Sequence, residues 1–134
     1  MAKYKKKLDA DIRCPLEYGL TIFGGKSGEY PQKLYKALMN SQTVLTVWDD
    51  ARLVGLIRVL DDSEMLAQIH YVLVHPEYQG RGIAGRMVEY IKEKYKNFMY
   101  LELMPEDKNN VPFYEKHGFH VMENGAAMQI CNIN

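Results

Sequence analysis

Val74-His75-Pro76-Glu77-Tyr78-Gln79-Gly80-Arg81-Gly82-Ile83-Ala84-Gly85 is the stretch on which the reading of this chain turns. Ahead of it, Ile69 to Val74 reads as a hydrophobic strand. Behind it, Ile83, Met87, Val88, Ile91 and Tyr95 recur on one face of a helix. A helix N-terminus presents backbone N–H groups without intrahelical partners and a partial positive charge. Glycines at 80, 82 and 85 let a ligand approach that backbone without meeting a Cβ. Strand, glycine turn and helix together predict a site for a phosphate or pyrophosphate. The glycines satisfy the Gly-x-Gly-x-x-Gly spacing. However, they sit mid-chain after other strands, and no βαβ unit leads on to an acidic ribose ligand. No Lys-Ser or Lys-Thr follows them, so the Walker pattern fails as well.

Another segment, Val111-Pro112-Phe113-Tyr114-Glu115-Lys116-His117-Gly118-Phe119, reads as a short helix stopped by Gly118. The ordered pair Gln79-Gly80-Arg81-Gly82-Ile83-Ala84 and Phe113-Tyr114-Glu115-Lys116-His117-Gly118-Phe119 resembles the GNAT superfamily of acetyl-coenzyme A-dependent N-acetyltransferases. The glycine segment matches that family's Gln/Arg-x-x-Gly-x-Gly/Ala loop at Gln79, Gly82 and Ala84. The aromatic segment is similar to its Phe-Tyr-Glu-Lys-x-Gly-Phe signature. The resemblance runs from about Thr43 to Phe119.

Composition agrees with a single globular domain over residues 1–134, of which residues 1–8 read as a flexible tail. Apolar residues make up 47% and formal net charge is zero, which argues against disorder and against a general nucleic-acid binder. Lys3, Lys5, Lys6 and Lys7 form the one basic cluster, read as a solvated tail. No apolar run approaches the roughly 20 residues of a membrane span, and no apolar segment follows the N-terminal lysines as a secretory signal requires. Cys14 and Cys131 do not make a disulfide framework. A cytoplasmic setting is the economical expectation.

Leu16, Tyr18, Leu20 and Ile22 alternate as a strand would within Arg13 to Phe23, and Gly24 to Gly28 is a flexible turn. Pro31 opens a helix through Leu34, Tyr35, Leu38 and Met39. Thr43 to Trp48 and Leu53 to Leu60 form a hairpin, and Met65 to Val74 is the strand that feeds the glycine turn. The main helix runs from Gly82 to Tyr95. Phe98 to Met104 is a strand, Asn109 to His117 a helix, and Phe119 to Met122 and Ala127 to Ile130 two closing strands. The expected fold class is α/β, of the α+β kind. It has a mixed, mostly antiparallel central sheet flanked by helices. The resemblance implies that the sheet splays open between the strand ending at Val74 and that at Phe98–Met104, where a cofactor can lie.

The resemblance implies acetyl-CoA as cosubstrate, with no metal, and an amine of a small molecule or peptide as acceptor. It places the pyrophosphate on the backbone of Gly80, Arg81, Gly82, Ile83, Ala84 and Gly85, with Gln79 in the same loop. Arg81 either adds charge there or is solvated. The resemblance pairs the backbone of Val72, Leu73 and Val74 with the pantetheine arm, one N–H stabilising the oxyanion. It puts Tyr114 at the position of the general acid. A thiol with a pKa near ~8.5 lies below a tyrosine near ~10, so the hydroxyl can return a proton to an expelled thiolate. For the base, alternation groups Gln68, His70 and Val72 on one face. Relatives often carry a histidine or an acid where His70 stands. Glu102 is the reserve. Asp107 occupies the place of a frequent cofactor-binding asparagine, which leaves Asn109 or Asn110 to substitute.

His117 and His120 straddle a Gly-Phe break, which argues against zinc. His75 reads as surface, Trp48 as a strand-end core residue, and Phe113 as packing. The closing strands suggest a homodimer paired across a two-fold axis. The rival reading is an acetyl-CoA-binding sensor or interaction domain without turnover.

Overall fold

The computed structural model describes residues 2–6 and 29–132. The expected strand from Arg13 to Phe23, the turn from Gly24 to Gly28, and Cys14 lie outside the described residues. Two compact units divide the chain at Leu103 and Met104.

The first unit is built on a five-stranded sheet in the order β1-β2-β3-β4-β5. Its strands are β1 (Ala2–Lys6), β2 (Thr43–Asp49), β3 (Arg52–Asp61), β4 (Leu66–Val74) and β5 (Tyr100–Leu103). The first three pairings are antiparallel and β4–β5 is parallel. Ala2–Lys6, read from sequence as a loose tail, pairs with β2 from Ala2↔Asp49 to Lys6↔Leu45. An edge strand needs only its backbone to join a ladder, so its sequence need not carry the apolar alternation that marks a half-buried strand.

Helix α1 (Pro31–Met39) begins with its proline in the first turn, where a missing N–H costs nothing. Its Leu34 and Leu38 pack on one face of the sheet with Val44, Trp48, Leu53 and Leu56. Trp48 is buried there and donates from Nε1 to Thr46 Oγ1 at 2.9 Å. Helix α2 (Ile83–Lys94) covers the other face, burying Ile83, Met87, Val88 and Ile91, the stripe expected from its periodicity. Gly55 is what allows the start of α2 to sit so close. A Cβ there would meet Ile83 Cγ2 at 3.1 Å and Val47 Cβ at 3.2 Å.

The C-terminal end of α2 is tied to the sheet through Tyr95, whose ring is buried. Its hydroxyl donates to Asp61 Oδ2 at 2.6 Å, so the Thr43 hydroxyl at 2.6 Å must donate to it. Burial, followed by the bond to Asp61, pushes the Tyr95 hydroxyl up from 10.0 to about 12. The folded chain therefore holds this proton where an unfolded chain releases it. The stabilisation is complete below about pH 10 and is lost as pH rises through about 12. Tyr95→Phe is expected to cost about 1–3 kcal/mol near neutrality, because Asp61 and Thr43 lose their shared partner. The variant should also lose less of its remaining stability than the parent does on going from about pH 8 to about pH 11, read as urea midpoints.

Two irregularities in β4 shape the region around its C-terminal end. First, the β3–β4 register shifts between Arg58 and Val59: Arg58 pairs with Tyr71 and Val59 with Ile69. His70 is thus the extra residue of a β-bulge. Gln68 and His70 keep one face, but Val72 falls on the opposite face, paired with Ile57. The expected grouping of Val72 with Gln68 and His70 is broken by that one residue. Second, β5 pairs with β4 only from Leu66↔Tyr100 to Ile69↔Leu103. Pro105, two residues beyond, cannot continue a ladder, and from there to Val74 β4 keeps only its β3 partner among the described residues. The sheet is therefore splayed where the sequence reading placed the opening.

The second unit contains a 3-10 turn (Lys108–Asn110) and helix α3 (Val111–Lys116). Gly118, at φ +91°, closes the helix: its N–H reaches Glu115 O at 3.1 Å and that of Phe119 reaches Tyr114 O at 3.1 Å. The two closing strands expected at 119–122 and 127–130 are not formed among the described residues. A turn at Glu123 and Asn124 separates them, but no ladder joins its arms, and Val121, Met122, Met128 and Ile130 are exposed. Apolar alternation reports which faces want burial and cannot supply a pairing partner. The elements on which a two-fold pairing was expected are accordingly not strands.

Candidate active site

The turn between β4 and α2 is held in place by its own side chains. His75 N donates to Val54 O at 2.8 Å, and His75 Nδ1 accepts from Glu77 N at 3.2 Å at the start of a 3-10 turn (Pro76–Tyr78). His75, expected at the surface, is largely covered by this role, its side chain being 13% exposed. Arg52 ion-pairs with Glu77, and Tyr78 donates to Asp49, tying the turn back to the β2–β3 hairpin.

Beyond this anchor the backbone opens. Gly80 and Gly82 sit at φ +80° and +81°, where L side chains are strained, and a Cβ on either would have nothing within 4 Å. Gly82 is the N-cap of α2, and the first intrahelical bond runs from Arg86 N to Gly82 O at 3.1 Å. The N–H groups of Ile83, Ala84 and Gly85 therefore have no intrahelical acceptor. Arg81 does not reach into this space: its guanidinium lies 4.7 Å from the Tyr78 ring centre and donates to Glu77 O at 3.2 Å. The residues present fit a pyrophosphate, since they offer open backbone donors at a helix start and no acidic side chain.

The bond from His75 N to Val54 O also sets the orientation of β4. By alternation, Leu73 and Tyr71 point their backbone groups at β3, while Val74 and Val72 point theirs away, toward the side β5 has left. The Gln79 side chain agrees, donating from Nε2 to the outward Val74 O at 3.2 Å. Of the three residues expected to line the pantetheine arm, Val72 and Val74 face the open edge. Leu73 is turned into the sheet.

His70 is exposed beside Arg58, whose Nη1 lies 2.6 Å from His70 Nδ1. A guanidinium only donates, so Nδ1 accepts, which places the ring proton on Nε2. The ring packs at 4.4 Å from that of Tyr71. In this state the imidazole has no lone pair to offer an amine until the Arg58 bond opens. Glu102 lies in register with Gln68, hence on the face that Gln68 shares with His70, and is half-buried.

In the second unit, Tyr114 stands on α3 with its ring 5.0 Å from Phe113 and 6.0 Å from Phe119. Burial pushes its hydroxyl above the ordinary tyrosine value. Phe113 and His117 also stack, at 4.9 Å. Asp107 is committed to capping, accepting from Asn109 N at 2.9 Å, whereas Asn110 makes no side-chain capping bond at the start of α3. Among the described residues no group of three His, Cys, Asp or Glu could hold a metal, and no helix is long and apolar enough to cross a membrane.

The sequence reading missed Arg58, which alternation alone places on an apolar face, and the bulge that turns His70 toward it.

Comparison with known proteins agrees with this geometry. A curated relative, the uncharacterized N-acetyltransferase ycf52-like of Prochlorococcus marinus, is 28% identical over 99 residues, which is 70% of this chain and 55% of its own length. The chain thus spans about half the length of that relative. A solved structure from meticillin-resistant Staphylococcus aureus, described as a protein of unknown function and probable acetyltransferase, superposes with a TM-score of 0.84 at 28% identity, over 98% of this chain and 99% of that one. A protein of Clostridium acetobutylicum described as a predicted acetyltransferase, solved with acetyl-CoA, shares the fold at a TM-score of 0.70 and 16% identity, over 96% of each chain. The family description "Acetyltransferase (GNAT) family" matches residues 16–119, and the chain belongs to that family.

Proposed function

We propose that this chain transfers the acetyl group of acetyl-CoA to a primary amine of a small molecule or peptide, by direct attack in a ternary complex. One observation carries the reading. Past its pairing with β5, the β4 edge that Val72 and Val74 face has no further strand on it among the described residues, and it runs straight into the open glycine turn at the start of α2. An amide-bearing arm can add to that edge as a strand would, while its phosphates meet the N–H groups from Gly80 to Gly85. When bound, acetyl-CoA supplies an activated acyl thioester.

The chain's own groups then divide the work. The N–H of Val72 or Val74 donates to the acyl oxygen as it gains charge. The side chain of Asn110 is available to orient the cosubstrate. The hydroxyl of Tyr114 donates toward the departing sulfur. Burial holds its proton somewhat more tightly than in an exposed tyrosine, and the hydroxyl passes it to the sulfur as thiolate charge develops.

We assign removal of the amine proton to Glu102 rather than to His70. The Nδ1 of His70 is engaged by Arg58, and Glu102 has no ion-pair partner among the described residues. Turnover of the two variants tests this. It is expected to fall by about ten- to a thousandfold in Glu102→Gln and to change little in His70→Ala. The reverse pattern would return the base to His70. Calorimetric binding of acetyl-CoA, followed by release of coenzyme A across a panel of amines, tests the function itself. Binding without turnover on any amine would favour a sensor.

A further inference from the structure

Arg58 on β3 is a partly buried cation with no carboxylate paired to it among the described residues. Its Nε donates to Ser41 Oγ at 2.7 Å, its Nη1 to His70 Nδ1 at 2.6 Å, and its guanidinium lies 5.8 Å from the Tyr71 ring centre. Removal from water costs this guanidinium some of its hold on the proton, and no carboxylate among the described residues offsets that. A guanidinium has five N–H donors. Two are used, which leaves three without an acceptor among the described residues.

Desolvated cations are costly unless a counter-charge meets them. Here the supports are well made, and no counter-charge is present among the described residues. Ser41 is buried, and its own hydroxyl is fixed on Ala37 O at 2.7 Å, so the Nε bond orients the guanidinium plane. The bulge at His70 brings both His70 and Tyr71 to the same guanidinium. Such a fork, oriented by Ser41 and His70 and with its other donors lacking an acceptor among the described residues, suits a planar or tetrahedral oxyanion.

The fold also indicates whose anion it is. Arg58 shares its face with Leu56, on the α1 side of the sheet. The glycine turn opens at the start of α2, which packs on the other face against Gly55. The two anion-binding features therefore lie on opposite faces, with the open edge of β4 between them. Phosphates held at the turn do not reach Arg58. A molecule approaching the edge from the α1 side does, one strand spacing, about 4.8 Å, from β4.

We propose that Arg58 anchors the acceptor: the amine acetylated by this chain carries an anionic group, carboxylate or phosphate, that docks on the Arg58 guanidinium beside His70. The inference rests on the acetyl-transfer reading for the identity of the reaction. The anion site itself is testable without turnover.

The test follows the arginine Nε–H resonances of the full chain by nitrogen-15 NMR. The Arg58 line is identified by its absence in Arg58→Lys. Titration with inorganic phosphate and, separately, with acetate is expected to move that line saturably, whereas chloride at matched ionic strength leaves it in place. Movement with phosphate alone points to phosphorylated amines, and movement with acetate alone to amino-acid-like acceptors. A line that moves with neither overturns the proposal.

Matched acceptors supply the second arm: an amino acid against its amide, and an aminoalkyl phosphate against the amino alcohol. The anionic member should be favoured by about ten- to a hundredfold in kcat/KM. Arg58→Gln should erase the preference and Arg58→Lys should keep part of it. Equal use of both members by the unsubstituted chain refutes the assignment. Calorimetry with acetyl-CoA separates the two failures. If the cosubstrate does not bind while the Arg58 line moves, acetyl transfer falls and a ligand site remains. If it binds while the line stays, the acceptor proposal falls alone.

Discussion

Gly82→Glu is expected to lower acetyl-CoA affinity by more than about a hundredfold, the scale of losing two charge-assisted hydrogen bonds. The position is left-handed at φ +81° and its surroundings are empty, so the new side chain would enter the space that the pyrophosphate needs. The helix itself should tolerate the change, because an acidic side chain at a helix N-terminus is favourable. Gly82→Asn is the matched control. Asparagine accepts the left-handed conformation better than other side chains and brings no charge, so it should lose far less affinity. Calorimetry measures binding, and far-ultraviolet circular dichroism shows whether each variant folds. A folded Gly82→Glu chain that binds acetyl-CoA like the parent would place the cosubstrate elsewhere.

Tyr114→Phe should leave acetyl-CoA affinity near that of the parent and lower turnover by about ten- to a thousandfold. The ring contacts with Phe113 and Phe119 do not use the hydroxyl, and among the described residues the hydroxyl has no hydrogen bond to lose. Stability should therefore change little, which separates a chemical role from a packing one. Acceptors of high and low basicity should be slowed alike, since the hydroxyl serves the leaving sulfur. An unchanged turnover number would mean that water protonates the thiolate.

The parts of this fold that the sequence made legible are those where local pattern and burial agree. The stripe Ile83, Met87, Val88 and Ile91 is buried as its spacing demands, and Pro31 and Gly118 open and close their helices. The glycine turn could be read because positive φ leaves a mark in residue type. What could not be read is relational. One extra residue at His70 changes the parity of everything after it. Nothing in Gln68-Ile69-His70-Tyr71-Val72 announces which residue is unpaired, because the bulge is a property of β3 and β4 together. Arg58 hides for the same reason: its partners Ser41 and His70 are 17 and 12 residues away along the chain. Ala2–Lys6 forms a strand through its backbone, a bond that residue type does not encode.

The edge left open by β4 has a consequence for how this chain behaves toward its own copies. An unpaired row of backbone donors and acceptors invites any passing strand, and long flat edges are where sheets join and precipitate. Here the row is short. Among the described residues, Val72 and Val74 are the ones that face outward past the β5 pairing, and Gln79 already occupies the Val74 carbonyl. Strand-to-strand association needs a longer run of matched groups than this to offset the ordering of two chains. An edge sized for one slender amide-bearing arm stays below the length at which it would act as a template for aggregation.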